Sequence, residues 1–110
     1  MLLALDMGNT NIKIGVFNGN NLVLESRIAT DRSKMEDQYA VELLDILHLY
    51  KLDISKFKGA VISSVVPPLN SVIRRAVQKV TGITPMVVGP GTKTGIDIRI
   101  DNPAQLGADF

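Results

Sequence analysis

The stretch LLALDMGNTNIKIGVF at residues 2–17 decides the fold, because two segments with strand-like patterns flank one short polar turn. Residues 2–5 are uniformly apolar, as expected of a strand that is covered on both faces. From Asn11 onwards apolar and polar side chains alternate, which is typical of a half-buried strand. The pattern therefore predicts two neighbouring strands joined by residues 8–10, with Asp6 at the end of the first strand.

The next segment predicts a third strand and a helix. Asn18-Gly19 favours a tight hairpin turn into a strand over about residues 22–28. Ser33 and Glu36 have the spacing of a capping box, in which each side chain bonds a free amide at the start of a helix. An apolar stripe with helical spacing follows and fades near Tyr50.

The remaining patterns alternate between strand and helix. They predict a buried strand at 59–64, a helix that opens after Pro67-Pro68 and closes at Gly82, and a strand at 85–88. The whole order is that of an α/β fold of the ribonuclease H-like, actin-like ATPase class, with three antiparallel strands followed by alternating helices and strands.

Composition and charge limit the class of protein. The 110 residues are 45% hydrophobic and carry 12 basic and 11 acidic side chains, which suits one folded domain. The near-neutral charge disfavours a nucleic-acid-binding protein, and the absence of cysteine excludes disulfides and thiolate chemistry. No apolar run approaches the roughly 20 residues of a membrane-spanning helix. We therefore expect a soluble cytoplasmic protein that binds neither nucleic acid nor membranes.

Asp6 and the turn behind it admit two interpretations. An unpaired carboxylate at the end of a buried strand costs several kcal/mol of desolvation, which a magnesium ion would offset. Gly8 would then let main-chain amides approach a phosphate, and Lys13 would reach a phosphate oxygen from the face that it shares with Asn11. Alternatively, aspartate, glycine and asparagine are present because hairpin turns favour them. The residues alone leave both interpretations open.

A second candidate segment lies at residues 101–110. The Asp-Asn pair at 101–102 would cap a helix that begins with Pro103. Gly107 inside that helix would cost about 1 kcal/mol relative to alanine, which suggests close approach of a ligand or of another backbone. Asp109 follows, and its spacing alone favours an ordinary exposed helical acid.

Several short motifs resemble one enzyme family. They are Asp-x-Gly-Asn-Thr-Asn at 6–11, Ser-Ser-Val-Val-Pro at 63–67, Gly-x-Gly-Thr-x-Thr-Gly at 89–95, and Asp-Asn-Pro followed by Gly-Ala-Asp at 101–109. Together they resemble the amino-terminal half of a type III pantothenate kinase, over essentially the whole chain. The resemblance implies two ribonuclease H-like halves and transfer of the γ-phosphoryl group of ATP to pantothenate, giving 4'-phosphopantothenate in the first step towards coenzyme A. It also implies a homodimer, a magnesium ion, and a monovalent cation (K⁺ or NH₄⁺) whose ligand belongs to the second half.

The same resemblance implies roles for matching residues. Asp109 corresponds to the catalytic carboxylate, which would aim the substrate hydroxyl and accept its proton late in the reaction. Gly107, Ala108, Asp109 and Phe110 correspond to the start of the pantothenate-binding segment, and Asp6 to the residue that organises Mg²⁺. The ATP phosphate loop corresponds to Asp6, Met7, Gly8, Asn9, Thr10, Asn11, Ile12 and Lys13.

Two departures from the family pattern bear on activity. The family has arginine after Gly-Ala-Asp, where this chain has Phe110, and an aromatic ring cannot replace a cation that binds a carboxylate in a fork. The family's second half, with its other phosphate motif, is also missing. We therefore expect residues 1–110 to be the amino-terminal half-domain of a longer two-domain kinase, truncated or frameshifted near Phe110 and inactive by itself.

Two other functions remain as alternatives. A ribonuclease H-like nuclease would use Asp6 and Asp109 to bind two metal ions. A regulatory module would bind the nucleotide without transferring a phosphoryl group.

Other side chains are assigned to packing. Tyr39, Tyr50 and Phe57 are expected to be packing residues. Ser63 and Ser64 end a strand near the presumed cleft, and a direct role for them is the less favoured interpretation.

Overall fold

The computed structural model describes residues 1–89, and within them five strands form one sheet. The order across the sheet is β3-β2-β1-β4-β5. β2 pairs antiparallel with both β1 and β3, whereas β4 runs parallel to β1 and to β5. This arrangement confirms the predicted α/β class. The strands are β1 (Leu2–Met7), β2 (Asn11–Asn18), β3 (Asn21–Ala29), β4 (Gly59–Ser64) and β5 (Met86–Val88).

Two helices connect the strands and cover one face of the sheet. α1 (Glu36–Leu49) lies between β3 and β4, and α2 (Asn70–Thr81) lies between β4 and β5. One-turn 3-10 helices precede β4 (Ile54–Lys56) and α2 (Pro67–Leu69). Among the described residues, neither α-helix is long and apolar enough to cross a membrane. The apolar side chains of both helices pack against alternate residues of the strands and form one core. Its fully buried members include Leu3, Ile12, Ile14, Leu47, Ile62 and Val77.

The opposite face of the sheet carries a smaller apolar cluster. Its buried members are Ala4, Phe17 and Val61. Because side chains alternate along a strand, Asp6 lies on this face with Ala4, whereas Met7 faces the helices. Neither described helix packs here, so a ligand would meet these side chains without displacing α1 or α2.

Two glycines adopt the left-handed conformation that their positions require. Gly19 has a φ of 62° in the β2–β3 hairpin, and Gly82 has a φ of 74° at the end of α2. The N–H of Gly82 donates to the carbonyl of Gln78 at 2.8 Å, which closes the helix. Both findings confirm the predicted hairpin turn and glycine-capped helix.

The predicted start of α1 is wrong. The helix begins at Glu36, and the N–H of Met35 donates to the side chain of Gln38 at 2.7 Å, the bond that was expected between Ser33 and Glu36. The carboxylate of Asp31 instead accepts hydrogen bonds from the N–H and the hydroxyl of Ser33, at 2.9 and 2.6 Å. This local turn occupies the Ser33 hydroxyl, so it does not cap α1.

The aromatic residues follow their predicted packing with one exception. Tyr39 and Phe57 are buried, in agreement with the prediction, but Tyr50 is 50% exposed. Tyr50 stands just after the last residue of α1, where the helical stripe has ended. Its ring therefore does not follow the stripe into the core.

Candidate functional site

The end of β1 brings together side chains from neighbouring strands. Asp6 is paired with Lys13 of β2 and with Ser63 of β4. Lys13 is in turn paired with Arg27 of β3. Directly paired residues point to the same face of a sheet, and in antiparallel pairs their Cβ atoms lie about 4.5–5.5 Å apart. The register thus creates a polar row, Arg27-Lys13-Asp6-Ser63, on the face that α1 and α2 leave uncovered.

From sequence, Asp6 was expected to be an unpaired carboxylate at the end of a buried strand, and the structure differs from this. Asp6 and Lys13 are each half-buried, and each takes part in an interaction with another group. The Asp6 carboxylate is therefore neither fully desolvated nor alone, so its desolvation cost does not by itself require a cation. The position of Asp6 is what favours a cation, because its carboxylate lies at the end of a strand beside the hydroxyl-bearing Ser63.

The turn after β1 is built around an internal hydrogen bond. The N–H of Gly8 donates to the carbonyl of Asn11 at 2.9 Å. A Cβ atom at Gly8 would lie 3.2 Å from that same carbonyl oxygen, closer than ordinary van der Waals contact. Gly8 thus permits the turn to close, and its own amide serves the turn instead of an anion. The polar groups that remain for a phosphate belong to Asn9, Thr10 and Asn11, which are all exposed.

The two adjacent serines at the end of β4 face opposite sides of the sheet and have different roles. Ser64 is buried on the helix side, and its hydroxyl accepts a hydrogen bond from the N–H of Val66 at 2.9 Å. Ser63 lies on the opposite face, beside Asp6. Ser64 is therefore structural, whereas Ser63 belongs to the candidate site.

Sequence reasoning did not assign Ser63 to the site. Its neighbour Asp6 is far away along the chain, and the two meet only because β1 and β4 pair in parallel. No local pattern encodes that register. Two signals were available: the place of Ser63 in the Ser-Ser-Val-Val-Pro motif, and its position at the end of a buried strand, where ligands of α/β sheets commonly bind.

The described residues hold a limited set of metal ligands. Within residues 1–89, no three His, Asp or Glu side chains lie close enough together to hold a metal ion. Asp6 would thus supply one carboxylate. That donor set fits Mg²⁺, which keeps several waters and is often bound through one or two carboxylates and substrate phosphates.

The second predicted part of the site lies outside the described residues. This holds for the helix expected after residue 102 and for all four residues of the expected pantothenate segment. The role of that segment stays a prediction for Gly107, Ala108, Asp109 and Phe110.

Comparison with known protein families identifies one match. A family model described as type III pantothenate kinase matches residues 2–110. The type III pantothenate kinase of Moorella thermoacetica is 46% identical over 109 residues, which cover 99% of this chain and 43% of that protein. The corresponding protein of Geobacter sulfurreducens is 43% identical over the same shares of the two chains. This chain thus spans less than half the length of these relatives.

Solved structures share the fold at low identity. A ROK hexokinase from Thermus thermophilus aligns with a TM-score of 0.53 and 20% identity, covering 80% of this chain and 34% of the hexokinase chain. RuvC of T. thermophilus, solved with a Holliday junction substrate, aligns with a TM-score of 0.57 and 13% identity, covering 96% of this chain and 74% of the RuvC chain. One neighbour is a sugar kinase and the other binds a DNA junction, so these likenesses show the ribonuclease H-like fold alone.

Proposed function

Because this chain belongs to the type III pantothenate kinase family, we propose that it forms the amino-terminal part of an enzyme that transfers the γ-phosphoryl group of ATP to pantothenate. The product is 4'-phosphopantothenate, the first intermediate on the way to coenzyme A. The observation that carries the proposal is the polar row at the end of β1, next to the glycine turn that we assign to the phosphate loop.

In this proposal the residues from Asp6 to Lys13 hold the triphosphate. Asp6 holds a magnesium ion, which when bound neutralises charge that develops on the phosphate oxygens. Lys13 is paired with Asp6 and adds positive charge on the same face. The exposed polar groups of Asn9 and Thr10 donate to phosphate oxygens. Ser63 adds a neutral oxygen beside Asp6 and helps to orient the water around the cation.

Asp109 is the proposed catalytic carboxylate. The primary hydroxyl oxygen of pantothenate forms a bond to the γ-phosphorus while the bond from that phosphorus to the bridging oxygen of ADP breaks. The hydroxyl proton passes to Asp109, which later releases it to water. A carboxylate is a weak base towards a primary alcohol, so proton removal contributes only about 10²–10⁴-fold. Gly107, Ala108 and Phe110 are the proposed neighbours of the bound pantothenate.

The wider properties of the proposed enzyme follow the family. Residues 1–110 form one half of a two-domain kinase, and the second half supplies the ligand of a monovalent cation, K⁺ or NH₄⁺. The enzyme works as a homodimer in the cytoplasm. Its substrates are small molecules, so it requires neither nucleic acid nor a membrane.

The proposal is tested by exchanging the Asp6 carboxylate for an amide. In the full-length enzyme, pantothenate-dependent formation of ADP is measured with ATP, Mg²⁺ and K⁺. Asp6→Asn keeps the side-chain shape but removes the charge that holds the cation, so kcat/KM should fall about 10²–10³-fold. The matched control is Asp45→Asn, because Asp45 is exposed on α1, the helix that packs on the other face of the sheet.

Each outcome of this experiment separates the proposed functions. Loss of activity in Asp6→Asn with normal activity in Asp45→Asn supports the kinase. Undiminished activity in Asp6→Asn overturns the role of the polar row. ATP binding without phosphoryl transfer in the unmodified enzyme would favour the regulatory module, and Mg²⁺-dependent cleavage of nucleic acid would favour the nuclease.

A further inference from the structure

The turn at residues 8–11 is held from outside by the segment that follows β3. The N–H of Thr30 donates to the carbonyl of Thr10 at 2.9 Å, which extends the β2–β3 ladder by one pair. The Thr30 hydroxyl donates to the carbonyl of Gly8 at 2.8 Å. This second bond spans from the end of β3 to the residue that follows β1, so one threonine ties both sides of the turn.

The segment around Thr30 is itself fixed to the core. The hydroxyl of Tyr39 donates to the carbonyl of Asp31 at 2.5 Å and accepts a hydrogen bond from the N–H of Asp31 at 2.9 Å. Tyr39 is only 1% exposed and belongs to the main core on α1. The Asp31 carboxylate accepts hydrogen bonds from the hydroxyl and from the N–H of Ser33. Both bonds lower the pKa of Asp31, and the bond from the hydroxyl has the larger effect. Through Tyr39, α1 therefore holds the backbone next to Thr30 from its other side.

Resting on the proposed function, we propose that Thr30 is a positioning residue for ATP, and that Tyr39 holds Thr30 in place. Asn9 and Thr10 are exposed; the Gly8–Asn11 bond restrains the turn from within, and the Arg32 guanidinium donates to the side-chain oxygen of Asn9 at 3.3 Å. Donors that are already in place bind phosphate without first losing conformational freedom. Thr30 supplies that order from outside the loop, and it makes no contact with the nucleotide itself.

The test removes only the Thr30 hydroxyl. Thr30→Val keeps the branched shape and the main-chain bond to Thr10, whereas Thr30→Ser keeps the hydroxyl and serves as the rescue. The matched control is Thr81→Val, because the Thr81 hydroxyl also donates to a main-chain carbonyl, that of Val77 at 2.8 Å, at the end of α2. Loss of the Thr30 bond to Gly8 in Thr30→Val should raise KM for ATP about five- to tenfold in the full-length enzyme, with a smaller effect on kcat.

A second measurement does not depend on catalysis. Hydrogen exchange of the Gly8 N–H reports whether the turn stays closed, since this amide is bonded to Asn11. Its exchange should be about tenfold faster in Thr30→Val and in Tyr39→Phe, near normal in Thr30→Ser, and unchanged in Thr81→Val. Melting curves of each variant identify any effect that comes from general loss of stability.

The outcomes separate this inference from the proposed function. Faster Gly8 exchange and a raised KM for ATP in Thr30→Val, both restored in Thr30→Ser, support the positioning role. Unchanged Gly8 exchange in Thr30→Val overturns it, even if the unmodified enzyme phosphorylates pantothenate. If the unmodified enzyme shows no phosphoryl transfer, the proposed function fails, and the exchange measurement still decides whether Thr30 orders the turn.

Discussion

At the scale of single residues, Gly8 is the position where a methyl group would do most harm to the proposed phosphate loop. Its added Cβ in Gly8→Ala would meet the main-chain carbonyl of Asn11 at 3.2 Å, and a backbone atom can move only if the turn opens. The donors of the turn would then be misplaced by a few tenths of an ångström. We expect kcat/KM for ATP to fall about ten- to hundredfold, as measured by steady-state kinetics of the full-length enzyme.

Gly59 provides the matched control. A Cβ at Gly59 would also be close to a neighbour, at 3.3 Å, but that neighbour is the Cδ1 atom of the flexible Leu2 side chain. Gly59 stands at the start of β4, away from the strand end that carries Ser63. Gly59→Ala should therefore leave the kinetics within about twofold of normal. Equal losses in both variants would mean that general destabilisation, and not the turn, explains the effect.

Sequence reasoning predicted some residues of the candidate site better than others. Lys13 could be placed on one face with Asn11 because alternation along a strand is a local property. That Asp6 shares this face follows only from the pairing of β1 with β2. Main-chain amides were expected to approach a phosphate at Gly8, but the sequence could not show that the amide of Gly8 itself bonds Asn11, because that bond depends on the closed shape of the turn. Ser63 was left out because the pairing of β1 with β4 is not written in either segment alone.

At the scale of elements, opposite charges join the first turn of α1 to the last turn of α2. Lys79 of α2 lies 3.0 Å from the carboxylate of Glu36 and also bonds Asp37. The hydrogen bonds to Asp37 and then to Glu36 raise the pKa of Lys79 above its usual value. Acidic residues at a helix start and a basic residue at a helix end also suit the two helix dipoles. The helix layer thus has a contact that depends on charge.

This contact predicts a pH dependence of stability. Because the pKa of Lys79 is higher in the folded state, the contribution is present in full below about pH 10.4 and is lost as the pH rises through the folded pKa. Lys79→Met should lower the melting temperature slightly at neutral pH, and the difference from the unmodified protein should shrink above about pH 10.4. Thermal melts across pH, at low salt, measure this difference.

Lys58→Met is the control for this prediction. Lys58 is exposed and lies between the short helix at 54–56 and β4, away from the junction of α1 and α2. The melting temperature of Lys58→Met should equal that of the unmodified protein at every pH. A Lys79→Met difference that stays constant up to strongly alkaline pH would show that the charges of Glu36 and Asp37 are not its cause.

The elements themselves were predictable to different degrees. Gly19 and Gly82 fixed a hairpin turn and a helix end because few other residues adopt a positive φ. The start of α1 was misplaced because Ser33 has two possible partners, and the nearby Asp31 competes successfully with the helix. Such competition between local hydrogen bonds is decided by the conformation of residues 30–35 as a whole.

At the scale of the whole molecule, the two faces of the sheet divide stability from the candidate chemistry. The face under α1 and α2 holds the main core, and the other face carries the polar row beside a smaller apolar cluster. A hexokinase and a protein that binds a Holliday junction share this fold, so the same framework occurs in proteins with different ligands. Function is therefore indicated by the polar row and by family membership. The fold by itself does not decide it.

The central claim is that the cation and the triphosphate of ATP bind at the turn after β1. The most direct measurement uses Mn²⁺, a paramagnetic substitute for Mg²⁺, with a non-hydrolysable ATP analogue and residue-resolved NMR of the full-length enzyme. We expect strong broadening of the amide signals of Asn9, Thr10 and Ser63, little effect on Asp45 of α1, and loss of the broadening in Asp6→Asn. Broadening centred on another part of the sheet, or equal at Asp45 and at the turn, would contradict the account.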